Sequence, residues 1–469
     1  MMRSLYSGVA GLRTHQTKMD VLGNNIANVN TTSFKSQSIT FSDLMYQTTQ
    51  AASGATETKG GVNARQIGLG AKSGAIATAI ESQGATQTTN NPFDIMITGK
   101  AFFVVNNGQE NLYTRDGSFY VDGAGNLAMQ SNGYYVMGWQ ATVDEETGER
   151  KIDMNSGLQN LPIMTADNMT YAPASTTAAL FSGNIDDNDT NINSDNGKTI
   201  TLEFYDNKGY LYTAKFTLMN DDTDPDLFTL TLSDILDSSG KSIGTTLLEG
   251  VNFETSDGTE TKTITLDFDA ATGAISSAGG YTSSFIVNLM FDQSVEGLEP
   301  FGYQKATTDQ TTNQAGQLAV DFSTVTNYNT NGSATIKATK GDKKSNNTGR
   351  MVGEMNGINI STDGQINATY SNGQTKLLGQ IASAEFANAS GLAKEGDNLY
   401  SSTLNSGDAT IQDITTDGGY MNTGVLEMSN VDLSKEFTEM ITTQRGFQAN
   451  SRIITVSDTL LEELTNLKR

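Results

Sequence analysis

Helical periodicity marks the two ends of this chain and is missing from the long stretch between them, and no other feature of the sequence constrains the fold as much. At the N-terminus Leu5, Val9, Leu12, Gln16 and Met19 step by alternating four and three, and Leu22, Ile26 and Val29 resume after one short step. Near the C-terminus Leu433, Phe437, Met440, Gln444 and Phe447 do the same, and Ile453, Val456, Leu460, Leu464 and Leu467 carry the stripe to the end. The prolines, Pro92, Pro162, Pro173, Pro225 and Pro300, all fall between, so both ends lack the strongest helix breaker. Ser429-Asn-Val-Asp432 fits a capping box, a hydroxyl and a carboxylate for the first free N–H groups, and marks a helix start near 430. A narrow apolar stripe on a glycine-containing helix does not hold itself together in water and has to be covered. The two ends are therefore expected to pair, within one chain or between chains, as a terminal helical domain of residues 1–32 with 430–469. Separate docking of each helix on its nearest domain satisfies the periodicity equally well.

The interior reads as β. From Asp94 onward short apolar or alternating runs (IMI, AFFVV, NLYT, SFYV, NLAM, YYVM) are separated by Asn107-Gly108, Asp122-Gly123 and Asn132-Gly133, the turn dipeptides of hairpins. The same grammar returns at Asn356-Gly357, Asp363-Gly364 and Asn372-Gly373, so residues 76–145 with 350–404 are expected to form one inner β-domain. Between them, 146–349 shifts toward Asp, Thr, Ser and Asn, with strands such as Thr199 to Tyr205, Leu211 to Met219 and Phe285 to Phe291, and reads as one or two outer β-domains. Residues 33–75 with 405–429 are left as a connector; Thr48 to Gly74 is too weakly apolar for a core of its own. The expected fold is multi-domain and mainly β, with terminal α-helices pairing as a coiled-coil-like inner domain and with discontinuous, nested domains.

Composition excludes most chemistry. Net charge is 29 minus 53, or −24, and a surface so acidic repels phosphate backbones and anionic lipid, arguing against nucleic acid and membrane partners. Zero Cys removes disulfides, thiolate nucleophiles and cysteine metal sites, and a single His15 leaves little for imidazole catalysis. No apolar run reaches the ~18 residues of a membrane span, and the opening MMRSLYSGVAGLRTHQ lacks the apolar segment of a secretory signal, so the protein is expected to stay in the cytosol or leave by another route. Gly197-Lys198-Thr199 lacks the earlier glycine of a phosphate-binding loop. Gly123-Ala-Gly125-Asn-Leu-Ala128 fits a dinucleotide fingerprint in letters but sits in a hairpin turn. Asp187-x-Asp189-x-Asn191 begins like a calcium loop, yet Ile192 takes the glycine position and Lys198 that of the bidentate Glu. It is read as a solvated acidic loop, as are Asp222, Asp224 and Asp226; Trp139 is read as core or interface. No enzyme, metal site or cofactor emerges.

Asn24-Asn-Ile-Ala-Asn-Val-Asn-Thr-Thr-Ser-Phe-Lys35 resembles the signature of the bacterial flagellar rod and hook family of axial proteins, on Asn24, Asn25, Asn28, Phe34 and Lys35. Ser33 departs from it, where the family more often carries Gly. The run from Ser429 through Asn430, Asp432, Leu433, Gln444, Arg445, Gln448 and Asn450 resembles the same family, as do residues 91–103, Leu378 to Ile381 and Phe386 to Asn388. The resemblance spans roughly the first 145 and last 120 residues. It implies a structural subunit of the flagellar hook that self-assembles into a flexible helical tube and transmits torque from rod to filament. A distal rod subunit and a secreted β-rich adhesion module are the alternatives, with a carboxylate enzyme acting on glycans behind them. It further implies terminal helices lining an export channel, a connector bridging neighbouring subunits, export without a cleaved signal peptide, and an extracellular place in the hook and basal body. The partners it implies, besides further copies of the chain, are the distal rod protein, hook cap, hook-filament junction protein and export apparatus. Cross-linking through a cysteine, known in some members, has no residue to use here.

Overall fold

The computed structural model describes residues 2–144, 149–221, 224, 226–292, 294–298, 301 and 317–467. It forms two compact units: Met1–Thr165 with Ile358–Ala368 and Lys376–Arg469, and Ala166–Gly357 with Thr369–Thr375. The second is thus nested inside the first. Among the described residues no helix is long and apolar enough to cross a membrane.

In the first unit the proline-free ends form an N-terminal helix, Met2–Ala27, and a C-terminal helix, Leu433–Asn466, which pack against each other. The cap differs from the sequence reading. Asp432 is the N-cap, its carboxylate accepting from the Ser434 and Lys435 N–H groups at 2.9 and 3.3 Å, while Ser429 Oγ accepts only from Val431 N–H. Ser429 is held outside the helix because strand Val425–Glu427 pairs with Thr86–Thr88, and the Asn430 side chain grips three backbone groups, keeping this stretch extended. The N-terminal helix ends at Ala27, so Val29 lies beyond it. Asn28 donates to the Asn24 carbonyl there from both its backbone N–H and its side chain, closing the last turn.

Residues 37–78 are one long hairpin in two stages. β1 (Gln37–Asp43) pairs antiparallel with β4 (Ala71–Thr78), and β2 (Tyr46–Gln50) with β3 (Arg65–Gly68). Most of it is exposed, in keeping with its weakly apolar sequence, but it is paired to itself rather than loose. Gly70 lets it lie along the N-terminal helix: at φ +119° a Cβ would stand 3.0 Å from Ala10 Cβ. The other half of the expected connector, 405–429, is not a linker. Its strands Thr410–Gln412, Met421–Thr423 and Val425–Glu427 pair with Ser383–Glu385, Ile95–Ile97 and Thr86–Thr88.

The inner sheet is built around Phe102–Asn106, whose Phe102, Phe103, Val104 and Val105 are all fully buried, as a continuous apolar run requires when both faces are covered. It pairs with Asn111–Thr114 and with Tyr135–Val143, which buries Trp139. Arg150–Ile152 and Gln159–Asn160 also pair with Tyr135–Val143, so this sheet continues past the expected boundary at 145/146, which itself lies outside the described residues.

The second unit is a sandwich of six-stranded and five-stranded sheets, antiparallel except for Ala178–Ile185 beside Gln317–Asn327. One aromatic core fills it, with Phe181, Phe204, Phe216, Phe228, Phe253, Phe291 and Phe322 together, so 166–357 is one domain rather than two. The loop read as solvated and acidic is instead tucked in. Asp186 accepts from the Asn188, Thr330 and Gly332 N–H groups, which hold its carboxyl far below the usual range. Asp189, 2% exposed, accepts from Ala334 N–H and pairs with Lys198 at 3.0 Å. Asp222 lies outside the described residues.

Candidate assembly interface

The seam between the terminal helices is made of small and polar residues. A Cβ on Gly8 would stand 3.4 Å from Ile454 Cγ1, on Gly11 2.5 Å from Asn450 Nδ2, and on Gly446 2.8 Å from the His15 ring, so glycine sets how closely the backbones approach. Thr14, Thr443 and Ser457 are buried beside them. His15 packs on Gly446 and meets Phe41 of β1 edge to face, centroids 6.1 Å apart. Asn25 Nδ2 donates to Glu436 Oε2 at 3.1 Å, and Lys18 pairs with Glu439 at 3.1 Å.

The apolar stripes behave differently on the two helices. On the N-terminal one Leu22 is buried, Leu5, Leu12, Met19 and Ile26 are partly covered, and Val9 is exposed; Val29, past the helix end, is partly covered. On the C-terminal one Met440 and Phe447 are partly covered, whereas Leu433, Phe437 (49% exposed), Ile453, Val456 (57%), Leu460 (46%), Leu464 and Leu467 face solvent. The expected seam of large apolar residues does not form within the chain, because the glycine and hydroxyl face packs more closely. Tyr6 and Ile441, outside the sequence-derived set, are also exposed, and the hairpin adds Met45, Tyr46, Ile67 and Ile76. Exposed apolar side chains in this number mark a surface that other molecules can cover.

The motif residues do other work. Lys35 is 1% exposed; its ammonium donates to Glu427 Oε1 at 2.6 Å and to Ser82 O at 2.7 Å. Burial pushes the Lys35 ammonium down, Glu427 opposing it, and burial likewise pushes the Arg115 guanidinium down. Arg115 NH1 lies 3.9 Å from Glu427 Oε2, and its NH2 donates to Gly99 O at 2.6 Å. Asn430 accepts from Ser36 N–H at 2.7 Å and donates to Ala79 O and Ser82 O, both at 3.0 Å. Asn25 clasps the Gln37 backbone at both N–H and C=O. Phe34 is buried under the Lys394 ammonium, 5.0 Å from the ring centre. Ser33 stands at φ +53°, the left-handed region, which explains why a glycine suits this position; its hydroxyl offsets the strain by donating to Arg115 O at 2.8 Å. Asn24, Gln444 and Arg445 are exposed, and Asn450 lies against Gly11. Glu427, Arg115 and Ser82 were invisible to sequence reasoning, since no spacing links them to Lys35.

Among the described residues no cluster of three or more metal-ligating side chains occurs. What the geometry defines is a chain with a large β-content whose C-terminal helix leaves Phe437, Ile453, Val456, Leu460 and Leu464 exposed. Residues 5–35 match the flagella basal body rod protein family, 96–165 the flagellar hook protein FlgE/F/G D1 domain, and 422–467 the flagellar basal body rod FlgEFG protein C-terminal family. The chain is 36% identical to the flagellar hook protein FlgE of Treponema pallidum over the full length of both, and 36% identical to that of Borreliella burgdorferi, again over both full lengths. It is 29% identical to the flagellar basal-body rod protein FlgG of Bacillus subtilis, over all of both chains. The chain belongs to the flagellar hook protein family, and it is a structural subunit of the flagellum, part of a self-assembled polymer, with no enzymatic role.

Proposed function

We propose that this subunit builds a flexible helical tube, in which the exposed stripe of the C-terminal helix is covered by the helices of neighbouring copies and the hairpin 37–78 bridges to them. The observation that carries this reading is the division of labour on the C-terminal helix: its small polar face is used within the chain, and Phe437, Ile453, Val456, Leu460 and Leu464 are left over. Each large side chain covered on assembly contributes ~1.5 to 3 kcal/mol, and the contact repeats at every subunit. A cohesive helical core combined with an acidic, hydroxyl-rich outer unit suits a tube that bends while it turns, because polar contacts are remade at low cost. Such a tube carries torque from rod to filament, its inner helices line an export channel, and its ends contact the distal rod protein, the hook cap and the hook-filament junction protein. On the same reading the chain reaches the cell exterior through the flagellar export apparatus without a cleaved signal. The 36% identity to two hook proteins, against 29% to the rod protein of Bacillus subtilis, supports the hook over the distal rod. Electron microscopy under polymerising conditions tests this: Leu460→Glu is expected to give soluble, β-rich protein and no tubes, with Asp195→Asn, on an exposed loop, assembling normally. Normal tubes from Leu460→Glu would refute it.

A further inference from the structure

The N-terminal motif finds its partners at the far end of the chain. Lys35 binds Glu427, Ser36 N–H donates to Asn430 and Asn25 donates to Glu436, across 392, 394 and 411 residues. Ser33 N–H donates to Glu427 O at 2.8 Å, and Asn430 N–H to Phe34 O at 3.3 Å. The floor on which the two ends meet belongs to neither: Ser82 O accepts from both Lys35 and Asn430, and Gly84 N–H donates to Glu427 Oε1 at 2.8 Å. The centre is dry. The side chains of Lys35, Arg115 and Glu427 expose 1%, 1% and 0%, so two cations face one carboxylate, and among the described residues Arg115 Nε and NH1 find no hydrogen-bond acceptor. A buried cation that loses its counter-ion is strongly unfavourable and drives the site open.

We propose that this cluster is a two-ended latch: residues 25–37 dock on the inner β-unit only when residues 427–436 are in place. A chain whose C-terminal end is displaced then cannot present an ordered helix pair. Glu427 is the bolt, its carboxylate paired with Lys35 and facing Arg115 at 3.9 Å while its backbone carbonyl holds Ser33. The inner strands have a core of their own, in which Phe103, Phe119, Val105 and Leu127 are fully buried and Phe103 meets Phe119 edge to face at 5.1 Å. The consequence for assembly rests on the reading above, but the latch itself is read on the free subunit, so the two stand or fall separately.

Hydrogen exchange followed by mass spectrometry on the free full-length chain tests it. Glu427→Gln is expected to raise exchange roughly tenfold or more in residues 30–37 and 427–432 together, leaving Phe102–Asn106 and Leu127–Met129 unchanged. Asn430→Ala removes the bonds to Ser36, Ala79 and Ser82 without touching a charge, and should open the same two segments if Glu427→Gln fails to fold. Wild-type protection of 30–37 in either variant would overturn the latch, as would equal opening of the inner strands.

Discussion

The outer sandwich and the terminal helix pair bury apolar side chains in opposite ways. In the sandwich each inward strand position meets another: Phe216 lies 5.6 Å from Phe181 and 5.9 Å from Phe253, centre to centre, and is fully buried. In the helix pair most large residues of the C-terminal helix, Phe437, Ile453, Val456, Leu460 and Leu464 among them, face solvent, and glycine, threonine and serine line much of the seam instead. The first arrangement is complete in one molecule. On the proposed assembly the second is completed by other copies that supply the missing surface, which is what a subunit of a polymer needs and a free-standing domain avoids.

The sharpest way to break this comparison is to damage each region and ask which property fails. Phe216→Ala is expected to cost ~3 to 5 kcal/mol, read as a lowered thermal transition of the outer unit, with the inner unit's transition unmoved. A single shared shift would show that the regions are not independent. Leu460→Glu should be its mirror image, moving no thermal transition of the free subunit by more than ~0.5 kcal/mol while removing assembly.

A smaller effect sharpens the picture at the junction of helix and sheet. Ser33→Ala keeps a side chain at φ +53° and loses the bond to Arg115 O, so it should destabilise the inner unit by ~1 kcal/mol in denaturant unfolding. Ser33→Gly loses the same bond but relieves the backbone, and should fall nearer to wild type. The reverse order would mean that the left-handed turn carries no strain.

The smallest effect concerns the turns of the outer sandwich. Hydrogen bonds from Thr255 and Thr259 hold the Asp257 carboxyl down at about 2, and those from Ser239 and Lys241 lower Asp237 likewise. Carboxylates depressed in the folded state stabilise it above their ordinary range, ~3.9, and that contribution is lost as pH falls toward 2. The outer unit's melting temperature should therefore drop slightly between pH 4 and pH 2, and Asp257→Asn should flatten part of that slope.

Much of this was legible in the sequence. Stripe spacing and the absence of proline implied helices at both ends, and five of the six Asn-Gly and Asp-Gly dipeptides do mark turns between strands, because both signals depend on neighbours a few residues apart; Asn356-Gly357 instead lies within strand Gly353–Ile360. Residues 405–429 read as a connector since two of their three short strands pair with segments more than 300 positions earlier, at 86–88 and 95–97. The acidic loop misled in the same way. Asp189 looks solvated in sequence, and only the folded chain brings Ala334 N–H and Lys198 to it.

By itself, then, the sequence determined that both ends would be helical, that the interior would be β, and that its Asn- and Lys-bearing motif places it among flagellar axial proteins. These follow from local periodicity and from residue identity. Only the tertiary structure decided which face of each helix is spent inside the molecule, because close approach at Gly8, Gly11 and Gly446 outcompetes a wider apolar seam. Only it joined Lys35 to Glu427 and Arg115, since a buried charge selects its partner by position in space and leaves no trace in spacing along the chain.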